Sequence, residues 1–225
     1  KWDFGASFSN DFSVQVDKGI AKQLKASQKQ VLTLRVWNNK NLVGITTTSD
    51  LSENGLKRAL YQANLASDYG NKNELTDFSP LAKDPIEKIK VVKRSPSGIK
   101  KLLEKLRIAE NELLKKHSAI KTIPYNGLSE SFFKRIYANS DGAQRSYEKS
   151  QAAIYLYARA EEINRKPRSS GSVKIGYGLE DIDINSCIDE AAEKTISHLN
   201  YSTIETGKYK ICFSPESFLT LINAF

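Results

Sequence analysis

The run Val31-Leu32-Thr33-Leu34-Arg35-Val36-Trp37 sets strand-forming residue types side by side, and no other stretch constrains the fold as tightly. The polar tetrad Asn38-Asn39-Lys40-Asn41 breaks it, and Leu42-Val43-Gly44-Ile45-Thr46-Thr47 takes up the same residue types again. This is the pattern of a hairpin with a four-residue loop. Upstream, Phe12, Val14 and Val16 alternate onto one face of a further strand. Gly44, inside the last run, marks a bulge or the close approach of another element. Ser52 then offers an N-cap side chain, and Leu56, Ala59, Leu60, Ala63 and Ala66 recur at helical spacing until Gly70. Residues 1–70 are thus expected to form strands covered by one helix.

A second unit follows the same plan. Residues 71–96 are polar and hold Pro80, Pro85 and Pro96, which predicts a linker, with a short element possible at Ile86, Ile89, Val91 and Val92. Ser97 is placed to cap a helix that aligns Ile99, Leu102, Leu103, Leu106, Ala109 and Leu113 on one face and bases on the other. Strands are expected at 133–138, 143–149 and 152–158, the first two joined by Asn139-Ser140-Asp141-Gly142, whose Asp-Gly pair supplies the positive φ of a tight turn. Residues 166–172 and the glycines at 171, 176 and 178 predict an exposed loop. Asp183 opens a helix carrying Ile184, Cys187, Ile188, Ala191, Thr195 and Leu199; residues 208–213 read as a short strand. Ser214-Pro215 opens a last helix bearing Phe218, Leu221, Ile222 and Phe225. The fold class is α+β. Residues 1–70 and 97–203 are sequential strand-plus-helix units, 71–96 is the linker, and 204–225 is the start of a third, truncated domain. A chain of 225 residues without methionine that stops within an apolar helical pattern has the look of an excised fragment.

The net charge of +8 raises the question of a nucleic-acid partner, and its distribution answers part of it. Residues 83–121 hold twelve Lys or Arg against five acids, whereas residues 171–225 hold four against eight. The basic helix face (Lys100, Lys101, Lys105, Arg107, Lys115, Lys116) is the feature best suited to phosphates or acidic protein, and Glu104, Glu110 and Glu112 interrupt it. Solvated helix pairs account for it better. No apolar run reaches the length of a membrane span. Cys187 and Cys212 lie in apolar patterns that fit buried, reduced thiols, and a cytoplasmic protein is expected.

Catalytic chemistry finds little footing. His117 and His198 are the only histidines, each near a helix end where a cation suits the dipole, and neither has metal-ligand spacing. No serine sits in a Gly-x-Ser-x-Gly turn, and Glu161-Glu162 and Asp181 with Asp183 read as solvated acids. The glycines between Gly171 and Gly178 match no phosphate loop.

Several motifs, in order, resemble the TldD/PmbA family, described as modulators of DNA gyrase and as peptide-processing metalloproteases. They begin with Ser13-Val14-Gln15-Val16-Asp17-Lys18-Gly19, Leu34-Arg35-Val36-Trp37-Asn38-Asn39 and Ser49-Asp50-Leu51-Ser52, although Asn39-Lys40-Asn41 stands where members commonly carry a turn glycine. Ala138-Asn139-Ser140-Asp141-Gly142 is similar to the family's Asn-Ser-x-Gly turn. Ala191-Ala192, then Ile204-Glu205-Thr206-Gly207-Lys208-Tyr209-Lys210-Ile211 running into Phe213-Ser214-Pro215, resembles the entry to its third domain. In the TldD branch the next helix carries Leu-His-Glu-Ala, whose histidine begins the metal site. Here Leu221-Ile222-Asn223-Ala224 stands in that place. Isoleucine has no lone pair for a metal, and asparagine cannot serve as a general base. The resemblance therefore implies the front of a TldE/PmbA-like subunit with no catalytic, metal or cofactor residue of its own. Zinc is implied only for a TldD-like partner. It further implies a dimer with that paralogue or with itself, a peptide substrate, and a role as chamber wall. The alternative is a basic nucleic-acid-binding module tied to gyrase modulation.

Overall fold

The protein is described by a computed structural model over residues 1–71, 77–85 and 91–225. Six antiparallel strands form one sheet in the order β3-β2-β1-β4-β5-β6. They are β1 (Trp2–Asp17), β2 (Ile20–Trp37), β3 (Val43–Thr48), β4 (Ile120–Asn139), β5 (Gln144–Ala160) and β6 (Arg168–Gly176). The helices are α1 (Glu53–Ser67), α2 (Ile99–Lys115), α3 (Ile184–Ser197) and α4 (Pro215–Ile222). None among the described residues is long and apolar enough to cross a membrane. β1-β2-β3-α1 and β4-β5-β6-α3 repeat one order of elements, and the pairing of β1 with β4 joins the two units through a shared sheet.

The β2–β3 hairpin forms as its residues dictate. Asn38 Oδ1 accepts from the Lys40 and Leu42 amides, and Asn41 takes the left-handed conformation (φ 59°) in place of a glycine. The β1–β2 turn went unread in the sequence because Ile20–Gln30 is poor in strand-forming types. It turns at Lys18 and Gly19, both at positive φ, and buried Glu110 of α2 accepts from both their amides (3.1 and 2.6 Å).

Three helices pack on one face of the sheet. Leu102, Leu106, Ala109 and Leu113 of α2 meet Val14, Val16, Leu128, Ile154 and Leu156, with Cys187, Ile188 and Ala191 of α3 closing the same core. The helix α1 docks differently. Its buried residues are the small Gly55, Ala59, Ala63 and Ser67, while Leu56 and Leu60, expected in the interface, stay exposed. Close approach explains this, since a Cβ on Gly44 of β3 would lie 1.9 Å from the Ala63 carbonyl oxygen.

Further expectations need correction. Ser97 does not cap α2. Gly98 is the N-cap, and Ser97 instead donates its N–H (2.6 Å) and hydroxyl (3.2 Å) to buried Glu130, which also accepts from the Leu179 amide (3.1 Å). The strands expected at 143–149 and 152–158 are one strand, β5, because its pairing with β4 runs through the intervening Ser150 and Gln151. Residues 168–176, read as a loop, form the edge strand β6 against β5; Ser170 and Ser172 bond to α3, and a Cβ on Gly171 would lie 2.3 Å from the Leu156 carbonyl oxygen of β5. Residues 208–213 form no strand. In the linker, Val91 and Val92 belong to no helix or strand, and Ile86 and Ile89 lie outside the described residues.

Candidate functional site

Residues an even number apart on a strand share a face, so the helix-bearing side takes Val14 and its row-mates, and the far side takes the odd positions of β1. Register builds that far side in cross-strand rows. Thr33, Gly5, Tyr137 and Arg145 form one row across β2-β1-β4-β5. Val31, Ser7, Arg135 and Tyr147 form the next, and Lys29, Ser9, Phe133 and Lys149 the one after. Two adjoining concavities of about 690 and 740 Å³ lie over these rows and share Ser7 and Val31. They make one groove running along the sheet.

Its chemistry is cationic and phenolic. Arg135 and Arg145 sit on diagonal positions of β4 and β5, with Tyr137 and Tyr147 on the other diagonal. The Arg145 guanidinium donates to the Gln144 and Asp84 carbonyls (2.9 and 2.7 Å), and Arg135 stacks on the Phe133 ring at 5.0 Å. Among the described residues no carboxylate pairs with Arg135, Arg145, Lys29 or Lys149. One end of the groove is closed by a different device. Asp3, almost fully buried, accepts from Arg35 Nε at 2.7 Å and from a second guanidinium nitrogen, with the Tyr137 hydroxyl at 3.3 Å. The hydrogen bond that Arg35 donates to Asp3 raises the Arg35 pKa above its ordinary value. That pair cancels its own charge; the groove's other cations keep theirs.

The groove escaped the sequence reading because its cations come from three strands. A period-two signal was available in Phe133-Arg135-Tyr137 and Arg145-Tyr147-Lys149, but only the register brings the two together.

The residues singled out in the sequence fall elsewhere. Ile222 ends α4 and Asn223 is its C-cap, and every residue from Asn200 to Phe225 whose side chain is described is exposed. A hydrocarbon and an amide do not fit a zinc ion there. Among the described residues, no three of His, Cys, Asp and Glu stand together as a metal ligand set. His117 Nδ1 accepts the Ala119 amide after α2, and His198 is the C-cap of α3. Cys187 is buried, and burial raises its thiol pKa; Cys212 is exposed, contrary to expectation, because no strand forms around it. On α2, Lys101 pairs with Glu180 and Lys116 with Asp189, so part of its basic face is spent on α3 and the turn before it. Asp181 holds Arg94 in a two-pronged pair (2.8 and 2.9 Å), Asp183 caps α3, and Glu161 and Glu162 pair with Arg159 and Arg165.

Comparison with known proteins fits this architecture. A zinc metalloprotease TldD homolog of Saccharolobus solfataricus is 22% identical over 95% of this chain and 48% of its own length. The chain thus spans about half of that curated relative. Among solved structures, a putative modulator of a DNA gyrase from Thermotoga maritima superposes with a TM-score of 0.75 at 18% identity, covering 92% of this chain and 46% of the other. TldE from Thermococcus kodakarensis gives 0.71 at 17%, covering 87% and 44%. At these identities the structures speak for the fold. The family model for the PmbA/TldA metallopeptidase central domain matches residues 79–199, more than half of the sequence. On that match, with the fold and the relatives in agreement, this chain belongs to the TldD/PmbA metallopeptidase family.

Proposed function

We propose that the chain is the front portion of a TldE/PmbA-like subunit that holds peptide for a TldD-like partner, supplying chamber wall and dimer surface while the partner supplies the zinc chemistry. One feature of the sequence supports this reading above all: by the resemblance, Ile222 and Asn223 stand where the TldD branch carries its histidine and glutamate. The sheet supports it as well. β3 pairs with β2 only from Leu32 to Trp37, so the outer edge of β2 from Ile20 to Val31 has no strand beside it among the described residues. The edge of β5 from Gln144 to Gln151 is not open in this way, because Asp84, Lys93 and Arg94 bind along it. Extended peptide can add to an open edge such as that of β2 through main-chain hydrogen bonds, which asks little of side chains. Both cysteines are free, in keeping with a cytoplasmic setting.

The test is cleavage of an unstructured peptide by the protein purified with and without a TldD-type paralogue. Activity is expected only with the partner and is abolished by a chelator. Chelator-sensitive cleavage by the protein alone overturns the proposal.

A further inference from the structure

We infer that the groove on the far face of the sheet binds extended polypeptide bearing acidic groups, with Arg135 and Arg145 receiving a carboxylate. The inference rests on the peptide-holding reading above and names which peptides that reading concerns.

Two independent observations converge on this groove. The first is charge. Two guanidiniums project from diagonal positions on neighbouring strands, and no carboxylate of the described chain meets either. A guanidinium presents planar forked donors that match a carboxylate in a bidentate fashion. Asp3 and Arg35, one row along, show the chain making that match internally. Arg135 and Arg145 leave that match open to an anion from outside.

The second observation is Gly5. Glycine weakens the middle of a strand and is kept there where a fold needs the space. The other strand glycines have that reason: a Cβ on Gly44 or Gly127 would strike Ala63 or the Tyr155 ring at 1.9 and 2.5 Å. Gly5 has none, for a Cβ there meets nothing within 4 Å. Its missing side chain opens the floor of the groove between Thr33 and Tyr137, beside Arg145. The space serves something that comes from outside the fold.

A polypeptide fits this geometry better than a nucleic acid. Single-stranded nucleic acid needs free aromatic faces on which bases stack. Arg135 already covers the Phe133 ring, so only the Tyr137 and Tyr147 rings are left for a base, and both alternate with arginines along their strands. What remains is a depression flanked by phenols and fixed cations, suited to an acidic side chain or a terminal carboxylate.

The experiment measures fluorescence anisotropy of a labelled, unstructured Glu-containing peptide titrated with the 225-residue chain. The same peptide with Gln for Glu, and a single-stranded oligothymidylate of equal charge, serve as comparisons. Loss of a charge-assisted pair should weaken the Gln peptide by about tenfold or more. Arg135→Gln with Arg145→Gln should erase that preference. Gly5→Leu should weaken the Glu peptide by about tenfold through filling the floor, without lowering the melting temperature, because a Cβ there meets nothing within 4 Å. Equal binding of the Glu and Gln peptides overturns the inference, as does tighter binding of the oligothymidylate or indifference to Gly5→Leu. If Gly5→Leu melts early, the arginine pair decides alone. Binding is read without any peptidase partner, so its failure leaves the cleavage result standing, and failure of cleavage leaves this readout intact.

Discussion

Glu190 on α3 is held by Lys174 of β6 (2.6 Å), by Lys194 one turn along and by the Ser172 hydroxyl (2.8 Å), and these hydrogen bonds lower its pKa from 4.5 to about 2. The pKa is depressed on folding. The stabilisation it brings is therefore fully present above the unfolded value of 4.5 and is lost as pH falls through about 2. The carboxylate is partly exposed, so water screens the pair and the effect is modest. Glu190→Gln should lower the melting temperature by about 2 °C near pH 6, and the gap should close between pH 4.5 and 2. Paired thermal melts across that range measure it; a gap independent of pH would show that the charge does not anchor α3 to β6. Nothing in the sequence announced this cluster. Ser172 and Lys174 lay in a segment read as loop, and their alternation points both at α3 only once β6 is a strand.

The elements differ in how they hold to the sheet, and Gly44 shows it. A Cβ there would stand 1.9 Å from the Ala63 oxygen and 2.4 Å from the Ser67 nitrogen, both in the backbone of α1, where no side-chain rotation can relieve the clash. Gly44→Ala should therefore displace the helix and cost roughly 1–3 kcal/mol in urea denaturation, the range of an overpacked core. Gly5→Ala on the same sheet is the control and should cost nothing. Equal stability of the two variants would mean that α1 does not sit on β3 at this distance. The sequence marked Gly44 as a bulge or a close approach, and the regular pairing of Val36 with Gly44 and Arg35 with Ile45 decides for the approach. Helices with large apolar faces, such as α2, were legible because periodicity alone defines them. α1 was legible in extent, since Ser52 caps it by accepting from the Gly55 amide, but its docking face was not. Backbone-to-backbone packing selects Gly, Ala and Ser, which a reading based on hydrophobicity passes over. The strands failed in the opposite way. Ile20–Gln30 and β6 are poor in strand-forming types and are held by neighbours more than by propensity.

For the whole molecule the open question is whether its two units stand alone. β1 pairs with β4 from Asp3 opposite Asn139 to Val14 opposite Leu128 without interruption, and Val14 and Val16 of the first unit are buried beneath α2 of the second. Glu110 of α2 in turn holds the β1–β2 turn. Each buried valine is worth about 1.5–3 kcal/mol, and a domain's net stability is only about 5–15 kcal/mol. Losing both valines along with a full strand pairing should leave residues 97–203 without a cooperative fold, and their bare β4 edge would invite association. We therefore expect residues 97–203 expressed alone to melt without a transition or to aggregate, and admixture of residues 1–70 to restore a monomeric complex with a cooperative melt. Circular dichroism and size-exclusion chromatography read both. If 97–203 melts cooperatively at the temperature of the intact chain, the shared sheet is a docking surface between independent domains. Under the expected outcome the groove over Gly5 and Arg135 can exist only when both units are present, since its floor comes from β1 and its cations mainly from β4 and β5.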